Sequence, residues 1–219
     1  MDERGLPGAL EQKRIRVLRD EPMSAHTSFR IGGPAQFLAL PANEGELTQA
    51  LAAAKTAGVP AFIMGRGSNL LVSDDGIEGL VVKTDGLDQV EQTDERTLTA
   101  GCGIQLSKLA VYARERALTG LEFAHGIPGS LGGAVFMNAG AYDGQMADVV
   151  ESTRHCDPSG TVYTLDTNRH AFRYRGSFFT GRPDLCILSV RITLKPGDPE
   201  QIGAKMRDLN NRRVKSQPL

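Results

Sequence analysis

A chain of 219 residues with 40% hydrophobic and 23% charged side chains has ordinary globular composition, which excludes disordered and fibrous classes. Its 25 lysines and arginines against 26 aspartates and glutamates give a formal net charge of -1, so no global field draws it to nucleic acid or to an anionic membrane, and neither partner is expected. The three cysteines, Cys102, Cys156 and Cys186, are odd in number and widely spaced, matching neither a disulfide framework nor CxxC ligation. A reducing compartment fits, and no metal site is expected.

The opening stretch MDERGLPGALEQKRIRVLRDEP is charged throughout and lacks the apolar core of a secretory signal, and no later run has the length to span a bilayer. The chain reads as soluble and cytoplasmic. Residues 9–20 are predicted as a short polar helix with Leu10, Ile15 and Leu18 inward, part of an N-terminal brace over residues 1–22.

From Phe37 the pattern becomes regular. An apolar stretch (37–40) is followed by a helix-like segment (44–57), a Gly58-Val59-Pro60 break and an apolar strand ending at Met64, together a β-α-β unit. Gly65-Arg66-Gly67-Ser68-Asn69 comes next, then Leu70-Leu71-Val72, an Asp74-Asp75-Gly76 turn and a strand at 80–83, closing a first lobe over residues 23–84.

A second lobe, residues 85–198, starts with strands at 90–91 and 97–100 and a helix from Leu106 to about Ala117, whose Leu106, Leu109, Ala110 and Ala113 share one face. The glycine-dense stretch Gly126–Tyr142 follows. Strands are predicted at 152–156, 161–165 and 185–193, with Asp157-Pro158-Ser159-Gly160 turning the first pair into a hairpin. A last helix, about Pro199 to Arg213 within a segment 199–219, carries Ile202, Met206 and Leu209 on one face. The two lobes read as distinct α+β units.

Two glycine loops are candidate ligand sites. Gly65, Arg66, Gly67, Ser68 and Asn69 sit directly after a strand, where small residues expose backbone N–H groups and admit an anion such as a pyrophosphate. Neither a P-loop nor a Rossmann fingerprint is satisfied there, and a plain tight surface turn is the alternative. In the second loop, Gly129, Ser130, Gly132 and Gly133 lie among apolar residues and would let a planar or phosphorylated ligand approach, with Asn138, Ala139 and Gly140 continuing the same wall. A structural glycine bend is the alternative there.

His26-Thr27-Ser28-Phe29-Arg30-Ile31-Gly32-Gly33-Pro34-Ala35, then GRGSN, then GIPGSLGGAVFMNAGAY, then Tyr174-Arg175-Gly176-Ser177-Phe178-Phe179 resemble, in order and over nearly the whole chain, the UDP-N-acetylenolpyruvoylglucosamine reductase family. The resemblance implies an α+β, two-lobed FAD-binding fold of the PCMH or vanillyl-alcohol-oxidase-like type, with the Thr27–Ala35 element and both glycine loops around FAD. It implies reduction of UDP-N-acetylglucosamine enolpyruvate to UDP-N-acetylmuramate with FAD and NADPH, in peptidoglycan precursor synthesis.

In that family the arginine of the YR-x-S-x-F segment lies in the active site. Here it is Arg175, whose fixed guanidinium would stabilise negative charge building on the substrate carboxylate. An exposed strand arginine is its bland alternative, packing is the default role for Tyr174, and His26, where the family usually has Asn, reads as a solvated loop histidine. The family continues into a third domain carrying the proton-donating serine, so a chain ending at Leu219 is expected to be cut before that domain. Two rival readings are a non-catalytic FAD-binding fragment and another FAD-linked oxidoreductase of the same fold.

Overall fold

A computed structural model describes residues 5–142 and 144–216. The chain divides into two compact units: the residues up to Leu87 together with Arg154–Thr164 and Arg182–Leu188, and Asp88–Thr153 together with Leu165–Gly181 and the residues from Ser189 on.

The first unit opens with helix α1 (Leu6–Gln12) and strand β1 (Arg16–Pro22). The single polar helix predicted over 9–20 is corrected: it stops at Gln12, Arg14 takes a left-handed backbone (φ 63), and the rest is an edge strand pairing antiparallel with β2 (Pro34–Leu40) from Arg16↔Leu40 to Pro22↔Pro34. The apolar spacing already argued against one helix, because five residues from Leu10 to Ile15 turn a helix by roughly 140° and put the two on different faces. Both are nonetheless buried, at 0% and 1% exposure, from two different elements.

Helix α2 (Glu44–Ala57) has the predicted bounds, and its ends explain why. Asn43 caps it by accepting the Glu46 N–H at 2.9 Å, Glu46 reaches back to accept the Ala42 N–H at 2.8 Å, and Gly58 ends it in a left-handed conformation (φ 68). Strand β3 (Ala61–Met64) and β2 both pair parallel with β4 (Ile77–Lys83), giving the order β1-β2-β4-β3. The core of this sheet gathers Met23, Ala35, Leu38, Met64, Val72 and Val81, with Leu18, Leu40, Leu70 and Ile77 packed against it. The hairpin segment 154–164 is fastened to α2: Arg154 makes two bonds to the Glu44 carboxylate at 2.9 and 2.7 Å, and Gly160 lies against the Thr48 backbone.

The second unit begins with the antiparallel pair β5 (Val90–Asp94) and β6 (Thr97–Gly101), then helix α3 (Leu106–Glu115) and the short β7 (Leu118–Thr119). Leu106, Leu109, Ala110 and Ala113 are all buried, as their spacing predicts. The glycine stretch holds an unanticipated helix, α4 (Leu131–Phe136), then the two-residue strands β8 (Gly140–Ala141) and β9 (Gly144–Gln145). Strands β10 (Val150–Cys156), β11 (Val162–Asp166) and β12 (Cys186–Thr193) complete a sheet of order β11-β10-β12-β6-β5. After β13 (Lys195–Pro196) the chain ends its described course in helix α5 (Pro199–Ser216), which buries Ile202, Met206 and Leu209. No helix among the described residues is long and apolar enough to cross a membrane.

Candidate functional site

In the first unit the Gly65–Asn69 loop leaves the end of β3 and folds back on the Thr27–Ala35 segment. Gly67 has φ 65 and its carbonyl accepts the Ser28 N–H at 3.2 Å; a Cβ on it would run into the His26 carbonyl oxygen. Only glycine lets these two stretches lie backbone on backbone. The second stretch is held in its own turn by Thr27, which is buried and donates from Oγ1 to the Ile31 carbonyl at 3.1 Å, and by the Gly33 N–H, which donates to Ser73 O at 2.8 Å. Two motifs far apart in sequence are thus one physical element.

Arg66 and Asn69 are exposed at this loop and Ser68 is half-buried. Phe29, Ile31 and Leu71 stand out at 61%, 50% and 69% exposure on the same segments, so apolar surface flanks the polar loop. His26 is not the solvated residue the sequence suggested. Its Nε2 lies 2.9 Å from Glu21 and its Nδ1 3.1 Å from the Lys83 ammonium, which also pairs with Asp85 at 3.0 Å. An ammonium only donates, so Nδ1 accepts and Nε2–H donates to Glu21.

In the second unit the glycine loop wraps around residues 102–106. Leu131 N–H donates to Ile104 O at 2.9 Å, Gly132 N–H to Cys102 O at 2.8 Å, and Leu106 N–H to Gly129 O at 3.2 Å. A Cβ on Gly132 would stand 2.9 Å from Cys102 Cβ, so this glycine is required by the close approach of its own chain. Gly129 and Ala139 are half-buried, whereas Gly133 and Gly140 are exposed and leave backbone open to an approaching ligand.

Ser130 gives the test of whether a ligand fits. It is 2% exposed, and its Oγ has no hydrogen-bond partner among the described residues. It precedes α4 without capping it, and a Cβ on Gly133 would stand 3.6 Å from that oxygen. A buried hydroxyl left unmatched costs about 1–3 kcal/mol, a cost that a polar group of a bound cofactor would remove. The residues present therefore fit a cofactor that brings a polar group to Ser130 and lies against the exposed backbone of Gly133.

Asn138 differs from the loop's other candidates. It is 7% exposed with a left-handed backbone (φ 43), and its side chain is spent within the protein: Nδ2 donates to Gln145 Oε1 at 2.9 Å and to the Arg173 carbonyl at 3.2 Å, and Oδ1 accepts the Ala147 N–H at 2.9 Å.

Arg175 is not on a strand. It occupies a two-residue turn closed by Arg173 N–H to Gly176 O at 2.9 Å and Gly176 N–H to Arg173 O at 3.1 Å, and it too is left-handed (φ 55). Both Arg175 and Tyr174 are exposed; at 95% exposure Tyr174 is no packing residue, because the turn carries it off the strand alternation assumed for it. Behind the turn, His170 is buried, stacks on Phe172 at 5.0 Å and lies 3.1 Å from Thr153 Oγ1. Burial holds its pKa below the ordinary value, against the opposing pull of the Thr167 carbonyl and Asp166.

The pattern of the FAD binding domain family matches residues 35–166. The UDP-N-acetylenolpyruvoylglucosamine reductase of Caldanaerobacter subterraneus subsp. tengcongensis is 43% identical over 207 residues, which cover 94% of this chain and 68% of that protein. The chain belongs to the UDP-N-acetylenolpyruvoylglucosamine reductase family.

The crystal structure of the reductase of this family from Thermus caldophilus superposes with a TM-score of 0.77 at 30% identity, covering 94% of this chain and 71% of that one. A xylooligosaccharide oxidase from Myceliophthora thermophila C1 superposes at 0.66 with 19% identity, covering 88% of this chain and 43% of that one, which shows the fold alone. The α+β FAD-binding fold of the vanillyl-alcohol-oxidase-like type is thereby established, and FAD is the cofactor of the reductase family to which the chain belongs. The chain spans about two thirds of the length of the curated reductases it matches.

Proposed function

We propose that this chain holds FAD in a UDP-N-acetylenolpyruvoylglucosamine reductase, with NADPH as reductant and UDP-N-acetylglucosamine enolpyruvate as substrate, in peptidoglycan precursor synthesis in the cytoplasm. The observation that carries the reading is the 43% identity running over 94% of the chain. When bound, FAD would supply the two-electron redox chemistry of the reduction.

The residues of the chain do the rest. Gly65–Asn69 and Gly129–Gly133 bind through backbone N–H groups, and the Ser130 hydroxyl donates to a polar group of the cofactor. Arg175 offers a permanently cationic, two-pronged donor to the substrate carboxylate, into which negative charge would be delocalised when hydride adds to the methylene carbon, the one remote from the carboxylate. Removing a single well-placed donor of this kind costs roughly 10²–10³ in rate.

Purified protein is titrated with FAD and followed by flavin absorbance and fluorescence, then treated anaerobically with NADPH, then with the enolpyruvyl sugar nucleotide. The reading requires saturable FAD binding and bleaching by NADPH. Absence of any flavin complex at excess FAD overturns it.

A further inference from the structure

The second glycine loop and the Arg175 turn are far apart in sequence yet joined by two buried side chains. Asn138 donates from Nδ2 to the Arg173 carbonyl at 3.2 Å, the same carbonyl that accepts the Gly176 N–H and closes the turn. Ser177, 1% exposed, donates from Oγ to the Phe136 carbonyl at 2.9 Å on the other side of the turn. Backbone at both ends is unusual: of the eight left-handed non-glycine residues among those described, Asn138, Tyr142, Ala171 and Arg175 fall in these two segments. Such conformations are strained and persist only where surroundings over-determine them.

We infer that Asn138 is a positioning residue: by bonding the Arg173 carbonyl it fixes the turn that presents Arg175, rather than touching the cofactor. The side chain's fixed hydrogen-bond partners are all within the protein, at Gln145, Arg173 and Ala147, and they account for both of its polar atoms. Arg175 is the residue whose position matters most for chemistry, because a misplacement of about 1 Å at a reacting centre can cost roughly 10²-fold in rate. The inference rests on the role proposed above for Arg175, and its test separates the two.

Two variants keep the fold within reach. Asn138→Asp preserves shape and the Oδ1 acceptor for Ala147 but loses the donor to Arg173; Asn138→Gly removes the side chain where the positive φ suits glycine. Each is prepared with FAD and compared with the parent protein in three ways: FAD affinity, reoxidation of NADPH-reduced flavin by the enolpyruvyl sugar nucleotide, and tryptic cleavage after Arg173 and Arg175. Both variants are expected to keep FAD affinity within about twofold, to lose at least about tenfold in reoxidation rate, and to be cut faster in the turn. In an Arg175→Ala background, Asn138→Asp is expected to add no further loss, since a residue acting through another cannot be additive with it.

A tenfold or greater loss of FAD affinity, a loss additive with Arg175→Ala, or unchanged cleavage of the turn overturns the inference. If instead Arg175→Ala leaves reoxidation intact, the functional reading of Arg175 fails. Tryptic cleavage then still decides whether Asn138 holds the turn.

Discussion

Gly67 and Ser130 stand in opposite relations to the fold, and under the proposed cofactor role substitution separates them. Gly67 is required by the protein itself: an alanine there is forced into a left-handed backbone with its Cβ against the His26 carbonyl. Gly67→Ala is expected to destabilise the apo protein by more than about 1 kcal/mol and to weaken FAD binding with it, seen as a lower Tm and a right-shifted flavin titration. Ser130 leaves an unmatched hydroxyl in the folded protein. Ser130→Ala is therefore expected to keep or slightly raise apo stability while weakening FAD by roughly fivefold, about one hydrogen bond. A matched fall in apo Tm would show that the hydroxyl serves the fold instead.

The second glycine loop was legible at this scale because glycines set among apolar residues, rather than in a polar linker, signal backbone that must lie close to something. Asn138 was legible only as a polar residue beside them: its bonds to Arg173, Gln145 and Ala147 depend on chain segments brought together by folding. The turn that holds Arg175 was hidden for a similar reason. Phe172-Arg173-Tyr174-Arg175 alternates like a strand, and nothing in those residue types announces a left-handed arginine.

At the level of elements, local rules worked where local bonds decide the structure. Helix α2 carries its own start and stop in Asn43, Glu46 and Gly58, so the predicted and observed bounds agree. Asn43→Ala is expected to cost about 1 kcal/mol of stability, measurable as a lower urea midpoint at unchanged slope, because the Glu46 N–H loses its acceptor and Glu46 Oε1 loses the Asn43 amide donor. Helix α4 obeys different rules. Its sequence LGGAVF has weak helical preference, and the first two N–H groups bond to Ile104 and Cys102 outside it, so tertiary contacts make this helix. Strand β1 likewise exists because β2 offers an open edge to pair with, a fact absent from residues 16–22 themselves.

For the molecule as a whole, acid sensitivity follows from two histidines. Burial lowers the pKa of His170; burial and then the Arg114 charge lower that of His125. The fold thus favours both in the neutral form relative to the unfolded chain, whose histidines titrate near 6.5. Stability is whole above that value and is lost as pH falls through it toward the lower folded-state values. Urea midpoints measured from about pH 7.5 to about pH 5 are expected to decline, and His170→Gln is expected to flatten part of that decline. A midpoint indifferent to pH over the range would contradict the assignment.

The division of the chain also has a consequence in time. The first unit recruits Arg154–Thr164 and Arg182–Leu188 onto the residues up to Leu87. On a ribosome, the nascent chain must therefore wait through the synthesis of almost all of the intervening sequence before that unit can close, with helix α2 still missing the Arg154 partner of Glu44. Synthesis at about 5–20 residues per second makes this a delay of several seconds at least, during which the β2–β4 sheet is exposed to chaperones and to its own copies. A polypeptide arrested after Leu87 should remain protease-sensitive, and one extended past Leu188 should acquire protection abruptly.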